Sequence, residues 1–175
     1  MIETARLIIR DWRDDDIDAF HGMCSDPAVM ATLGPLMDRT QTASLITDLQ
    51  GRAQRFGHTF WALERKDDSR MIGFTGLVRG KVEPVKNRLE IGWRLASETW
   101  GQGYAREAAQ ACFAWAAANR TGEPVFAITS VKNKASRGLM VRLGMTHLPR
   151  LDFGHPGLAH GDPLQPHVTY VKEPG

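Results

Sequence analysis

The sequence is poor in cysteine and tyrosine, with two of each among 175 residues. The two cysteines, Cys24 and Cys112, cannot form the set of disulfides that stabilises a small secreted domain. Cys112 lies in an alanine-rich stretch with helical spacing, which favours a buried small residue over a catalytic thiol. The cysteine content therefore supports neither a disulfide scaffold nor a thiol enzyme.

The sequence also lacks an excess of charge and a long apolar run. Its 22 basic and 20 acidic residues give a formal net charge of +2, and the basic residues are scattered rather than clustered as in nucleic-acid-binding proteins. The uncharged stretch 108–119 is shorter than the roughly 20 residues that a membrane-spanning helix needs, and the N-terminus has no apolar segment typical of a signal peptide. We therefore expect a soluble cytoplasmic protein with no nucleic-acid or membrane partner.

Hydrophobic periodicity predicts an α/β fold. A strand at 4–12 is followed by a short helix that stops at Pro27, a helix that ends near Gly57, and three strands that include a hairpin. An alanine-rich helix at 102–120 is apolar on both sides and is therefore expected to be largely buried. A strand, a shorter helix and a final strand at 167–173 follow. This order predicts a mixed sheet, antiparallel at its N-terminal strands, with a parallel pair around the alanine-rich helix. Because no repeat or linker divides the chain, we expect a single domain, residues 1–175.

The stretch EIGWRLASETWGQGYAREAA places Gly101 and Gly103 between a predicted strand and the alanine-rich helix. Free amides at a helix N-terminus bind anions, and glycine lets a phosphate approach the backbone. The stretch lacks the Lys-Ser or Lys-Thr of a Walker A motif, and Arg106 stands where a dinucleotide fingerprint needs a small residue. Taken alone, this turn is therefore compatible with an anion site and with a merely tight connection.

Two motifs together resemble those of the GNAT superfamily of N-acetyltransferases, and in particular its ribosomal-protein N-terminal acetyltransferase branch. They are WGQGYA and, about thirty residues later, NKASRGLMVRLGM. Trp100 is a departure, because the family usually has Gln or Arg there. The resemblance implies a GNAT-like mixed sheet with a splayed parallel pair at the cofactor cleft, flanked by helices. The residues that match the family motifs are Gly103, Ala105, Asn133, Ser136, Leu139, Leu143, Gly144 and Met145, and Arg142 replaces a usual Lys.

The resemblance implies acetyl-CoA as the co-substrate. The amides of the glycine turn, from Gln102 through Gly103, Tyr104 and Ala105 to Arg106, would hold its diphosphate. The backbone of Trp93, Arg94 and Leu95 would contact its pantetheine arm, and the amide near Leu95 would polarise the acetyl carbonyl. Asn133 would provide a further hydrogen bond to the cofactor, and Arg142 would either reach its phosphates or simply face water.

Acetyl transfer from sulfur to an amine needs a base, because only the neutral amine attacks. Glu90 is our candidate, since Leu89 and Ile91 on either side of it would face away from the cleft; the alternative is a carboxylate on the outer surface of the sheet. Ser136 is the candidate for a hydrogen bond to the departing thiol, or it bonds locally at a helix start. Many relatives use a Tyr on the last helix as the acid, and this helix has none.

The acceptor is expected to be a protein N-terminus or a small-molecule amine. Trp61, Asp152 and His155 are tentative acceptor contacts, with a structural role as the alternative for each. Two further hypotheses are a non-catalytic acyl-CoA-binding sensor and a homodimer formed through exposed sheet edges. No metal is expected, because the spacing of the C-terminal histidines matches none of the common zinc patterns. These histidines are His147, His155, His160 and His167.

Overall fold

The computed structural model describes residues 1–174. A nine-stranded mixed sheet carries the fold, in the strand order β1-β2-β3-β4-β5-β6-β9-β7, with β8 paired to β9. The strands are β1 (Ile2–Glu3), β2 (Leu7–Arg10), β3 (Phe60–Arg65), β4 (Met71–Arg79), β5 (Leu89–Leu95), β6 (Val125–Ser130), β7 (Thr146–His147), β8 (Phe153–Gly154) and β9 (Pro166–Lys172). The helices are α1 (Asp16–Cys24), α2 (Pro27–Met30), α3 (Arg39–Phe56), α4 (Tyr104–Asn119) and α5 (Lys134–Arg142).

The strand pairing confirms the predicted sheet. Strands β1 to β5 pair antiparallel in chain order, whereas β5 and β6, which flank α4 in the chain, pair in parallel. Strand β9 then adds antiparallel to β6. A parallel pair requires a crossover connection, and α4 supplies it.

Each face of the sheet has its own apolar core. The core on one face includes the small residues Ala108, Ala109 and Cys112 of α4, which allow the helix to lie close to the strands. The core on the other face joins α1 and α3 to the sheet and includes Phe20 and Phe74. The sheet, including the β5–β6 pair, lies between these two layers.

Two details of the helices differ from the sequence-based expectation. Helix α1 ends at Cys24, ahead of Pro27 as expected, but Pro27 also begins α2, where the preceding Asp26 accepts a hydrogen bond from the Ala28 amide at 2.8 Å. Proline suits the first helical position because its missing N–H would have no partner there. Helix α4 is not buried all round, since Ala114 and Ala118 are exposed. Alanine is tolerated there for its helix propensity rather than for packing.

No helix within residues 1–174 is both long enough and apolar enough to cross a bilayer.

Candidate active site

The candidate site begins where β5 and β6 separate. The parallel register comprises only the pairs Leu89–Val125 and Glu90–Phe126, although both strands continue for several residues. Beyond Glu90 the β6-facing backbone groups of β5 therefore have no strand partner. Such groups are available to a bound molecule, because a backbone amide or carbonyl needs a hydrogen-bond partner when it is buried.

A cleft of about 910 Å³ lies at this separation. Its walls include β5, the loop before α4 and the N-terminal half of α5, and its far end reaches the α2 region. The cleft thus spans both a polar helix-terminus region and an apolar region.

The glycine turn forms one wall of the cleft. Gly101 and Gly103 have φ values of 74° and 84°, the left-handed region that favours glycine. Gly103 precedes α4 without a side-chain cap, so the amides at Tyr104–Arg106 are free donors. Gln102 is not part of the cleft lining; its carbonyl accepts a 2.9 Å hydrogen bond from Arg6 Nη1, which fixes the turn.

Cations surround the mouth of the cleft beside this turn. Arg106 of α4, Lys132, Lys134 and Arg142 all line it, and Glu90 is the only acidic residue among the described lining residues. This charge distribution together with the free helix amides favours a polyphosphate ligand.

Glu90 lies at the inner end of the cleft. Its neighbours Leu89 and Ile91 are buried against the α4 layer, so the Glu90 side chain projects to the opposite face. Burial raises the pKa of its carboxyl from the ordinary 4.5 to about 7, against a smaller lowering effect of Arg52. No group within residues 1–174 donates a hydrogen bond to this carboxylate. It is therefore a proton acceptor with a pKa near neutrality and its oxygens unoccupied.

Helix α5 contributes three further lining residues. The Asn133 side-chain carbonyl caps the helix by accepting from the Ser136 amide at 3.0 Å, which leaves the Asn133 amino group as a donor. The Ser136 hydroxyl lines the cleft and makes no hydrogen bond to another group of residues 1–174. Arg142 is exposed in the last turn of the helix.

Trp100 occupies the cleft edge as a half-exposed ring, with 51% of its surface accessible. Its indole N–H donates to the Leu95 carbonyl at 3.0 Å, which fixes the ring at the end of β5. Tyr104 is buried beneath the Arg6 guanidinium and belongs to the core. Trp93 is half-buried and packs on the same core.

The three tentative acceptor contacts lie outside the set of residues that line the cleft. Trp61 is buried on the α4 side of the sheet, where its ring meets the Trp115 ring edge-on at a centroid distance of 5.4 Å. Trp61 therefore lies where a core residue would, in agreement with the structural role given above as the alternative to an acceptor contact.

Asp152 and His155 belong to the C-terminal edge of the sheet. Asp152 accepts hydrogen bonds from the Thr169 amide and from His147, both at 3.0 Å, and so ties a loop to β9. His155 lies beside His167 with ring centroids 4.8 Å apart, and burial lowers the pKa of both rings. Both side chains stabilise the edge rather than the cleft.

The sequence-based prediction missed the apolar wall of the cleft. The Phe60 and Phe74 rings stack at 5.1 Å, and the α2 region from Ala28 to Leu33 faces them. No local pattern indicates this wall, because its parts come from three separate elements.

Across residues 1–174, no group of three or more His, Cys, Asp or Glu side chains is placed to hold a metal ion.

Comparisons with known proteins match this arrangement. Residues 6–146 match the model of the acetyltransferase (GNAT) domain family. The chain is 32% identical to the uncharacterised protein YkkB of Bacillus subtilis over 143 residues, which are 81% of this chain and 83% of that protein.

Two solved structures share the fold. An acetyltransferase from Agrobacterium tumefaciens has a TM-score of 0.80 at 24% identity and covers 98% of this chain and 93% of its own. The ribosomal L7/L12 α-N-protein acetyltransferase RimL, solved in complex with coenzyme A, has a TM-score of 0.76 at 19% identity and covers 97% and 95%.

The fold, in which two parallel strands separate beside an uncapped helix N-terminus, is shared with solved acetyltransferase structures. The chain belongs to the GNAT acetyltransferase family. Members of this family use acetyl-CoA as the acetyl donor.

Proposed function

We propose that this chain is an acetyl-CoA-dependent N-acetyltransferase that moves the acetyl group directly from the CoA thioester to a primary amine. The observation that carries the proposal is the position of Glu90: a carboxyl with a pKa raised to about 7 stands where β5 and β6 separate, inside a cleft with a basic mouth. We treat residues 1–175 as one acetyltransferase domain.

The cofactor side is assigned to the glycine turn and α5. The amides from Gly103 to Arg106 would bind the diphosphate, as the uncapped start of α4 supports, whereas Gln102 lies outside the cleft lining. Lys132, Lys134 and Arg142 add positive charge for phosphate groups along the same wall. The Asn133 amino group, left free by the cap, is a further donor.

The chemical step is assigned to three groups of this chain. The thioester supplies an activated acetyl carbon, and the acceptor nitrogen attacks it. Glu90 takes the proton that the nitrogen loses, directly or through one water. The backbone amide near Leu95 would stabilise the negative charge on the carbonyl oxygen. The Ser136 hydroxyl would donate a hydrogen bond to the sulfur as the carbon–sulfur bond breaks.

The acceptor class is a primary amine on a peptide N-terminus or a small molecule. The name of the RimL neighbour records acetylation of a protein α-amino group. Its identity to this chain is 19%, so the choice between peptide and small molecule is left to experiment.

Replacing Gly103 with alanine should weaken CoA binding by about tenfold, because the new methyl group forces the turn out of its left-handed conformation and displaces the amides. Isothermal titration calorimetry with CoA measures this directly. The matched control is Gly57→Ala, which introduces alanine at a similar φ of 72° at the end of α3, with no role in the cleft. We expect it to destabilise the fold comparably and to leave CoA affinity unchanged; equal CoA affinities for both variants would contradict the assignment of the turn.

The function is tested by thiol release from acetyl-CoA in the presence of a panel of amines and short peptides. We expect release that depends on at least one amine and rises with pH through about 7. Tight CoA binding with no release on any amine would instead identify an acyl-CoA-binding sensor.

A further inference from the structure

Arg94 of β5 carries a positive charge that no acidic group within residues 1–174 neutralises. Its Nη1 donates to the Cys24 Sγ at 3.0 Å, and its buried Nε has no hydrogen-bond partner. The guanidinium carbon lies 5.7 Å and 5.5 Å from the ring centroids of Phe20 and Phe74. A half-buried guanidinium is thus surrounded by sulfur and aromatic carbon.

This environment differs from that of the buried arginine on the same side of the sheet. Arg10 makes three hydrogen bonds to Asp16 and Glu64, at 2.6 to 2.8 Å. The Cys24 thiol cannot play the same part for Arg94, because burial raises the pKa of this thiol and a neutral thiol is only a weak acceptor. The positive charge of Arg94 therefore remains uncompensated in a region of low polarity, where charges are normally paired.

The Arg94 side chain projects to the face of β5 that carries Glu90. The two residues are four apart in one strand, so their side chains share a face and their Cα atoms lie about 13 Å apart. Gly92 lies between them and has no side chain; a Cβ there would come within 2.7 Å of the Phe60 ring. The Phe60 ring, which stacks on Phe74, therefore packs against the strand face between the acid and the cation.

This face is opposite to the one that supports the cofactor assignment. Helices α4 and α5 pack on the other face of the sheet, so the side chain of Arg94 is separate from the basic residues near the glycine turn. Arg94 lines the cleft, and its guanidinium points towards Cys24 at the end of α1. The Arg94 guanidinium therefore lies on the side of the sheet away from the basic residues assigned to the phosphates.

We infer that Arg94 binds a carboxylate of the acceptor, so that the preferred acceptor is a primary amine that also carries a carboxylate. This inference rests on the proposed function. The amine would lie at Glu90, the intervening chain against the Phe60–Phe74 wall, and the carboxylate at Arg94. A single carboxylate suits the site, because Arg94 is one cation without an acidic partner and can compensate one negative charge.

The test compares acids with their amides. Acceptors of the series 3-aminopropionate, 4-aminobutyrate and 6-aminohexanoate are each measured against the corresponding amide, together with the peptide amides Ala-Asp-Ala and Ala-Asn-Ala. In the longer acceptors the carboxylate or amide is far from the amine and changes the amine pKa little. The acid-to-amide ratio of kcat/KM therefore reports recognition of the carboxylate. We expect the wild type to prefer the best acid over its amide by about 10- to 100-fold. The peptide pair shows whether an acidic peptide or a free amino acid is the better source of that carboxylate.

Arg94→Gln should reduce this ratio to about one, and Arg94→Lys should retain part of it, because lysine keeps the charge but not the planar donors. The matched control is Arg142→Gln, which removes a cation from the cofactor side of the cleft. It should raise the KM for acetyl-CoA and leave the acid-to-amide ratio as in the wild type. Thermal unfolding of each variant, followed by circular dichroism, checks that the fold is retained.

A wild-type ratio of one, or a ratio that Arg94→Gln does not change, would overturn the inference while leaving the proposed function intact. If no amine is acetylated, the proposed function fails, and calorimetric binding of the same acids tests Arg94 separately. Binding of the acid but not the amide, lost in Arg94→Gln, would then support the carboxylate site; equal binding or none would overturn it.

Discussion

Glu90→Gln should lower kcat by about 10²- to 10⁴-fold, the range typical of losing a general base. Glutamine has nearly the same shape but cannot accept the proton that the amine loses during attack. Steady-state thiol release at saturating acetyl-CoA and acceptor measures the effect. The control is Glu3→Gln, which removes an exposed strand carboxylate on β1 that pairs with Lys66, away from the cleft, and should keep the wild-type rate.

The pH dependence distinguishes a base from a merely structural carboxylate. Because burial raises the pKa of Glu90 to about 7, wild-type kcat/KM should rise tenfold per pH unit below pH 7 and level off above it, as long as the acceptor amine does not itself limit the rate. The residual activity of Glu90→Gln should not show this rise of kcat/KM below pH 7. Wild-type activity in Glu90→Gln between pH 6 and 9 would exclude Glu90 as the base.

The same substitution should stabilise the fold at high pH. The pKa of Glu90 is higher in the folded chain than in the unfolded one, so protonation of Glu90 favours folding. The protonated carboxyl contributes its full stabilisation below pH 4.5, and this stabilisation is lost as the pH rises through about 7. Glu90→Gln should therefore raise the free energy of unfolding by about 1–3 kcal/mol at pH 8 and change it little at pH 4.5. Urea unfolding at the two pH values measures this gain, which accompanies the loss of activity.

Arg10→Met should destabilise the protein by about 3–5 kcal/mol, because it leaves the buried Asp16 carboxylate without a cation and leaves the buried Glu64 carboxylate with only the exposed Arg13. Arg10, Asp16 and Glu64 are only 6%, 3% and 7% exposed, and Arg10 joins β2 to α1 and β3 through both acids. For a chain of this length the loss corresponds to a Tm lower by about 6–20 °C. Urea unfolding with an unchanged m-value measures it.

Arg13→Met is the matched control for Arg10→Met. Arg13 donates to the same Glu64 carboxylate at 2.9 Å, but its side chain is 57% exposed, so its removal should destabilise by less than about 1 kcal/mol. Similar losses for the two variants would show that burial of the Arg10 network does not matter. Helix α1 also carries Cys24 and Phe20, which contact Arg94, so Arg10→Met should also weaken the packing around the Arg94 guanidinium.

The sequence predicted the sheet because local signals agree with the final fold. Gly57, where the sequence predicts the end of a helix, has a φ of 72° directly after α3. The parallel pair around α4 was likewise predicted from the order of the elements and is confirmed. That Pro27 also begins a short helix was not predicted from the sequence, because proline is as suitable at the first position of a helix as after its end.

The candidate site was predictable only where its parts lie close together in the chain. The glycine turn and the alternation around Glu90 are local patterns, whereas the contact of Arg94 with Cys24 joins residues 70 apart. Nothing in the periodicity of α1 indicates that its end would meet β5. Trp61 illustrates the converse, because an aromatic residue in a strand is compatible with either face until the packing of α4 is known.

The most direct test of the account is the fate of the acetyl group. The protein is incubated with acetyl-CoA carrying an isotope-labelled acetyl group and with the amine panel, and the acceptors are analysed by mass spectrometry. We predict a labelled acetyl group on the nitrogen of at least one primary amine, in an amount equal to the CoA released and strongly reduced in Glu90→Gln. An intact thioester in the presence of bound acetyl-CoA and every amine would contradict the account.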